Sequence, residues 1–315
     1  MKNYNCGVYP TMITPFCVDG SVDYETARKY VRFYNEKGCD GIFSICQSSE
    51  IFYLSLEERV KLNKVVYDEV LAIEKESGRR MTVVSSGHIS DSIDEQANEL
   101  NEIIKSGTDA LILITNRLDL NNEGDDVWID NAKKLLSRLP SDVMLGLYEC
   151  PYPYKRLLTP KILEWCKSTG RFKFIKDTCC DAQTIKERIE ILDGSGIMLF
   201  NANCQTLLLS LKEGASGYCG IMANYHPQLY VWLYKNYKTD TDVVRRLNSF
   251  ICTSGFTENG IPYPISAKYH MCLEGIDTVL SARKPCKEFT DYDKYCTENM
   301  RILASVFEKE INGEK

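Results

Sequence analysis

The chain has 315 residues, 44% of them hydrophobic and 26% charged, a balance that supports a sizeable packed core and gives no sign of a long disordered tract. Its formal net charge of −6 comes without a lysine- and arginine-rich run, so nothing favours an electrostatic grip on nucleic acid or an anionic membrane, and an acidic substrate has to be held locally. Residues 1–16 are broken by Asn, Gly and Pro, which predicts neither a signal peptide nor a membrane span and makes the cytoplasm the expected location.

Along the chain, short apolar runs alternate with amphipathic stretches, the pattern of parallel βα units. A run over 7–14 ends in Thr14-Pro15-Phe16 and leads to a helix over 23–36 that opens on Asp23. A run over 41–45 is followed by a helix over 56–74, where Ser55 and Glu58 have the spacing of a capping box. Then come runs over 81–86, 110–114, 144–148, 172–176 and 197–200, with helices over 92–105, 127–137, 160–167, 182–192 and 204–212 between or after them. The eighth run covers 217–220, and Gly38, Gly78, Gly107, Gly170 and Gly214 stand where helices should stop. Eight units without a GxGxxG turn after the first strand predict an α/β fold, a (β/α)8 TIM barrel, rather than an open doubly wound sheet.

From about Tyr225 the strands cease, and helices are expected over 229–237, 242–253, 267–274 and 291–310. The organisation is thus a barrel over 1–224, then the last barrel helix and a C-terminal all-helical extension over 225–315. Pro262 and Pro264 make 260–265 an extended loop.

The fourteen cysteines are scattered and none forms a CxxC pair, so they read as reduced thiols, with adjacent Cys179 and Cys180 buried and inert. His88, His226 and His270 lie far apart, and no zinc site of His and Cys is expected.

In such a barrel, reactive groups project from the C-terminal ends of the strands. In the sixth run, alternation puts Phe172, Phe174 and Lys176 on one face and Lys173, Ile175 and Asp177 on the other. Lys176 then ends an apolar strand, where desolvation favours the neutral amine that a nucleophile requires. The plainer reading is a lysine that reaches the rim and pairs with Asp177. Tyr148 ends the fifth run, either as an acid/base phenol in the barrel mouth or as a rim tyrosine packing on its strand. After the second run, Gln47, Ser48 and Ser49 form a small polar turn suited to a carboxylate, or simply to capping the next helix.

Together these segments resemble the dihydrodipicolinate synthase and N-acetylneuraminate lyase family of pyruvate-dependent class I aldolases. Thr14-Pro15-Phe16 is similar to its TPF, and Cys46–Glu50 with Leu54–Arg59 to its GTTGE and L-S-x-x-E-R segments. Tyr148-Glu149-Cys150-Pro151 resembles YNxP, and Ile175-Lys176-Asp177 resembles G-x-K-(E/D), at the family's distance of 28 residues from 148 to 176. Gly214–Gly217 through Ala223-Asn224, Pro264 to Lys268, and Arg283-Lys284-Pro285 resemble its strand-eight, P-x-K and R-x-P features.

The resemblance implies that Lys176 forms a Schiff base with a 2-keto acid such as pyruvate, that Tyr148 is the acid/base, and that Ser48 and neighbouring amides hold the carboxylate. It implies reversible aldol addition or cleavage with an aldehyde, no metal or organic cofactor, and a homodimer or homotetramer.

The departures concern the substrate. Gln47 and Ser48 replace Thr-Thr, Thr115-Asn116-Arg117-Leu118 replaces the synthase's Pro-Tyr-Tyr, and Cys219 and Gly220 replace the Ile and Ser of strand eight. Arg156, three residues beyond the synthase arginine's position, is a candidate carboxylate clamp, and Cys219 joins Gln47, Ser48 and Ser49 as a candidate substrate-binding position. An aldolase or lyase is therefore expected in preference to dihydrodipicolinate synthase proper. The remaining alternative is an inactive barrel that binds a small molecule or regulates.

Overall fold

A computed structural model describes residues 4–258 and 260–314; of the opening stretch examined for a leader, residues 1–3 lie outside the described ones. The barrel runs β1 (Gly7–Val8), α1 (Tyr24–Glu36), β2 (Gly41–Phe43), α2 (Leu56–Ser77), β3 (Thr82–Ser85), α3 (Ile93–Ser106), β4 (Ala110–Ile114) and α4 (Asp125–Leu136). It continues with β5 (Leu145–Tyr148), α5 (Pro160–Thr169), β6 (Phe172–Asp177), α6 (Ala182–Leu192), β7 (Met198–Asn201), α7 (Leu207–Lys212) and β8 (Gly217–Tyr218). The strands pair in the order β1-β8-β7-β6-β5-β4-β3-β2, and a parallel bridge from Thr11 to Phe43 joins the segment after β1 to β2, bringing the ring to closure. This is the expected (β/α)8 barrel.

After it come α8 (Pro227–Asn236), which packs on β1, then α9 (Asp242–Glu258), α10 (Ile265–Leu273) and α11 (Asp291–Ile311). Among the described residues no helix is long and apolar enough to cross a membrane.

The local signals act as their chemistry dictates. Asp23 accepts from the Thr26 amide at 3.0 Å. Ser55 and Glu58 cap each other's backbone amides at 3.2 and 2.9 Å, and Gly78 ends α2 in the left-handed conformation that side chains disfavour.

Two apolar layers follow from strand alternation. Ile112, Ile114, Tyr148, Phe174 and Phe200 point into the barrel, while Leu111, Leu113, Leu145, Leu147, Ile175 and Leu199 face the helices. Gly146 has no side chain because a Cβ there would come within 2.4 Å of Ile112 and 2.8 Å of the Phe174 carbonyl.

The structure corrects four readings. Phe172 does not share a face with Phe174: the β5–β6 register shifts between Leu145 and Gly146, and Phe172 turns outward onto Trp165, 5.9 Å between ring centroids. The first strand is only two residues long. Residues 260–264 form a turn that starts α10 rather than an extended loop. All fourteen cysteines are free, yet Cys180 is exposed and Cys179 half-buried, so neither is a buried thiol.

Candidate active site

Lys176 and Tyr148 are register partners at the ends of β6 and β5, and both point inward, 4% and 3% exposed. The Lys176 Nζ lies 4.1 Å from the Tyr148 ring centroid and 5.7 Å from that of Phe43, within the range of cation–π attraction. Below them Phe43, Phe174, Phe200 and Tyr9 form an aromatic floor, with Phe174 and Phe200 stacked at 4.6 Å. Lys176 does not pair with Asp177, because one residue along the strand reverses the side-chain direction and Asp177 faces α6 instead.

The Tyr148 hydroxyl donates to Gln47 Oε1 at 3.4 Å, and the Cys150 thiol reaches the same oxygen at 3.4 Å. Burial holds the Tyr148 phenol well above its usual pKa, and the neighbouring thiols Cys150, Cys46 and Cys219 push in the same direction. Burial pushes Cys150 up to about 11 and Cys219 to about 12, with the Lys176 charge opposing both. At neutral pH these are O–H and S–H groups, able to donate protons but not to compete as anions.

The turn after β2 is a single 3-10 turn, Gln47–Ser49, whose first N–H groups have no acceptor within the turn. Ser48 donates to Thr11 Oγ1 at 3.1 Å. Ser49 is fully buried and holds the turn in place, hydrogen-bonding the carbonyls of Met12 at 2.7 Å and Ser44 at 2.8 Å. Thr14 donates to the Ser49 carbonyl at 2.7 Å.

Behind the reactive pair lies a buried ion triad that sequence reading did not identify. Glu149 and Asp177, each next in sequence to Tyr148 and Lys176, face outward and share Arg188 of α6. Glu149 also accepts from the Leu158 and Thr178 amides, both at 2.7 Å. Burial opposes the Arg188 charge, but Glu149 and Asp177 outweigh it and hold its pKa above the ordinary value. The signal was present: acids at two adjacent strand ends imply a cation on the covering helix.

Arg156, the candidate carboxylate clamp, is bonded to carboxylates of the chain itself. Its Nε lies 2.9 Å from Asp119, one terminal nitrogen 2.8 Å from Asp125 and the other 3.1 Å from the Leu157 carbonyl. The segment that replaces Pro-Tyr-Tyr is also structural: Asn116 donates to the carbonyls of Cys150, Tyr152 and Tyr154 at 2.9, 2.9 and 2.6 Å, and Arg117 binds Asp91 at 2.9 Å. Asn116 thus pins the loop that follows β5, and Arg117, which also donates to the Ile89 carbonyl at 3.1 Å, holds the segment after β3.

Cys219, fully buried, ends the β8 segment. A Cβ at Gly220 would sit 2.3 Å from the Tyr218 hydroxyl, so the larger residue two positions earlier accounts for the glycine.

Residues of four motifs from distant segments meet at the rim. Glu50 accepts from the amides of Arg283 and Lys284 at 2.6 and 2.8 Å. Lys268, fully buried, lies 3.6 Å from Glu50 and 4.4 Å from the Phe16 ring centroid. Burial lowers Lys268 to about 8, with Glu50 opposing. This contact ties the extension to the carboxylate turn.

The histidines are separate structural residues. His88 accepts from the Ile114 amide at 2.7 Å and its other nitrogen meets Gln96 at 2.9 Å, which fixes one neutral tautomer; burial lowers it to about 4.

A family model described as the dihydrodipicolinate synthetase family matches residues 5–303. The 4-hydroxy-tetrahydrodipicolinate synthase of Bartonella bacilliformis is 26% identical over 293 residues, covering 90% of this chain and 94% of that protein. An uncharacterized DapA-like lyase of Halobacterium salinarum is 23% identical, covering 93% of this chain and 91% of its own. Among solved structures, a prophage protein of the dihydrodipicolinic acid synthase family from E. coli K12, in complex with pyruvate, superposes with a TM-score of 0.81 at 18% identity over 96% of this chain and 98% of that one. The enzyme from Cyanidioschyzon merolae with lysine bound gives 0.84 at 18% identity, over 97% of this chain and 100% of that one.

Proposed function

Since the chain belongs to the dihydrodipicolinate synthetase family, a family of lyases and synthases, we propose that it is a class I aldolase that binds a 2-keto acid as a Schiff base on Lys176. The observation that carries this reading is the buried Lys176 amine 4.1 Å from the Tyr148 ring on an apolar floor. At 4% exposure the Lys176 side chain has little hydration to lose on attack.

The amine adds to the C2 carbonyl of the keto acid, and the carbinolamine loses water to leave an iminium ion. Having protonated the hydroxyl that leaves as water, the Tyr148 oxygen takes the C3 proton and is a phenol again; the iminium draws in the electron pair of that C3–H bond, or of a breaking C3–C4 bond, giving an enamine. In the synthetic direction the enamine attacks an aldehyde carbon, and the new alkoxide takes a proton. The Tyr148 phenol, kept protonated by burial, supplies that proton and recovers it in the reverse direction. The iminium nitrogen serves as the electron sink that a metal or organic cofactor provides in other aldolases. The keto-acid carboxylate is held by the Gln47–Ser49 turn, through its free amides and Ser48.

The acceptor aldehyde is one other than that of dihydrodipicolinate synthase proper, because Asn116 and Arg117 are tied to the chain's own loops and Arg156 to Asp119 and Asp125. Incubation with pyruvate and borohydride tests the reading: peptide mapping should find the reduced adduct on residue 176. No adduct, or one confined to Lys173, overturns it.

A further inference from the structure

The loops that follow β2 and β5 meet over the mouth of the barrel, although two strands separate β2 from β5. Gln47 reaches Tyr148 and Cys150. Beyond it the rings of Phe52 and Tyr152 pack edge to face, 4.9 Å between centroids. Phe52 is half-buried and rests on the inner core, while Tyr152 is 52% exposed. Asn116 holds the Tyr152 carbonyl at 2.9 Å, so this aromatic pair stands on a fixed loop and offers ring surface that a ligand can cover.

Next to Lys176 the lining is also uncharged. Cys150 and Cys219 are fully buried, and the Lys176 charge acts on both. As S–H groups they behave as small apolar side chains. The Phe43 ring lies 5.5 Å from that of Tyr148.

A carboxylate leaving water for such surroundings needs a cation or several free N–H donors. The free amides of the Gln47–Ser49 turn are assigned to the keto acid. Arg117 is held by Asp91 at 2.9 Å, Arg156 by Asp119 and Asp125 at 2.9 and 2.8 Å, and Arg188 by Glu149 and Asp177. Lys155, in the loop after β5, gives its ammonium to the Thr178 carbonyl at 2.8 Å. A polyhydroxylated chain would need a partner for each hydroxyl, whereas Thr14, Ser49 and Asn116 are bonded within the chain. Aromatic surface and neutral thiols remain.

We propose that the aldehyde accepted by this chain carries an uncharged aromatic group, held by Phe52 and Tyr152 at the entrance and by Cys150 and Cys219 beside Lys176. This rests on the Schiff-base reading of Lys176 and names the substrate class of that same site. The enamine C3 bonds to the aldehyde carbon, and the aldehyde oxygen takes the Tyr148 proton.

The whole chain is given pyruvate with benzaldehyde, succinic semialdehyde or glyceraldehyde, and the aldol product is followed by mass spectrometry. The kcat/KM for benzaldehyde should exceed the other two by about tenfold or more, the scale of burying one ring. Phe52→Ala and Tyr152→Ala should each raise KM for benzaldehyde about tenfold, while pyruvate and borohydride still label residue 176. A preference for glyceraldehyde or succinic semialdehyde overturns the inference, and loss of the latter preference in Lys155→Ala would place an acidic acceptor on that lysine. An unchanged KM for benzaldehyde in both rim variants also overturns it. A labelled residue 176 without the aromatic preference removes this inference alone; an unlabelled one removes the Schiff-base reading and the inference together.

Discussion

At the ends of β5 and β6, Tyr148 and Lys176 project into the barrel above aromatic side chains, and the Gln47 amide oxygen accepts from the phenol. Across the mouth, after β2 and β4 and in the loop following β5, Ser49, Asn116, Arg117 and Arg156 bind other parts of the chain. One region turns its polar groups toward the interior of the barrel; the other uses them to hold loops. The lesson is that a candidate reactive group is recognised less by its residue type than by its partners: Arg156, in the loop after β5, is held by Asp119 and Asp125, whereas Lys176, at the end of β6, forms no ion pair among the described residues.

The sharpest way to break this comparison is to remove the Lys176 amine. Lys176→Ala should abolish borohydride trapping and reduce turnover at least about 10⁴-fold, the scale for loss of a covalent nucleophile, while thermal unfolding stays close to wild type. Substantial residual turnover would place the nucleophile elsewhere. Tyr148→Phe should keep the fold and form some imine, as mass spectrometry of the reduced adduct would reveal, but lose about 100-fold in kcat. Wild-type kcat in that variant would assign the proton to another group.

Arg188→Met tests whether the triad behind the site is structural. Leaving Glu149 and Asp177 buried without their cation should cost about 3–5 kcal/mol in urea unfolding, with an indirect loss of activity. A change under 1 kcal/mol would show that the two acids find other partners. Arg156→Lys probes the opposite region: the fork that reaches Asp119 and Asp125 at once is lost, so stability should fall by about 1–2 kcal/mol while KM for the 2-keto acid is unchanged. A several-fold rise in KM at unchanged stability would return Arg156 to the substrate.

The barrel and the inward direction of Lys176 were legible because alternation and helix caps are local rules that neighbouring residues obey together. Phe172 was misassigned because a register shift between β5 and β6 is a pairing property, invisible in either strand alone. The ion pairs of Arg156 were not legible for a similar reason: its partners Asp119 and Asp125 lie more than thirty residues away, across a loop whose path no periodicity encodes. The rim contact of Phe16, Glu50, Lys268 and Arg283 was half legible, since each lay in a recognised motif, but their meeting depends on how the extension folds back over the barrel.

The smallest expected effect at neutral pH concerns a cation that forms only near pH 3. His226 is buried, and neither ring nitrogen has a hydrogen-bond partner among the described residues; its ring packs 5.0 Å from Phe250 and 5.8 Å from Tyr230. Burial, reinforced by His270, lowers its pKa to about 3. The unfolded chain takes up this proton near pH 6.5 and the folded chain does not until about 3. Between those values the unfolded state binds more protons, so stability present above pH 6.5 is lost as the pH falls, at up to about 1.4 kcal/mol per unit from this residue. His226→Phe preserves the ring packing and removes two unsatisfied nitrogens, so at pH 7 it should be more stable by about 1 kcal/mol. Its advantage should then widen from pH 6.5 to 4.5 as the wild type loses the His226 share, with His88 and His270 common to both proteins. Urea midpoints at half-unit intervals measure this, and parallel pH profiles for the two proteins would show that His226 is not held neutral by the fold.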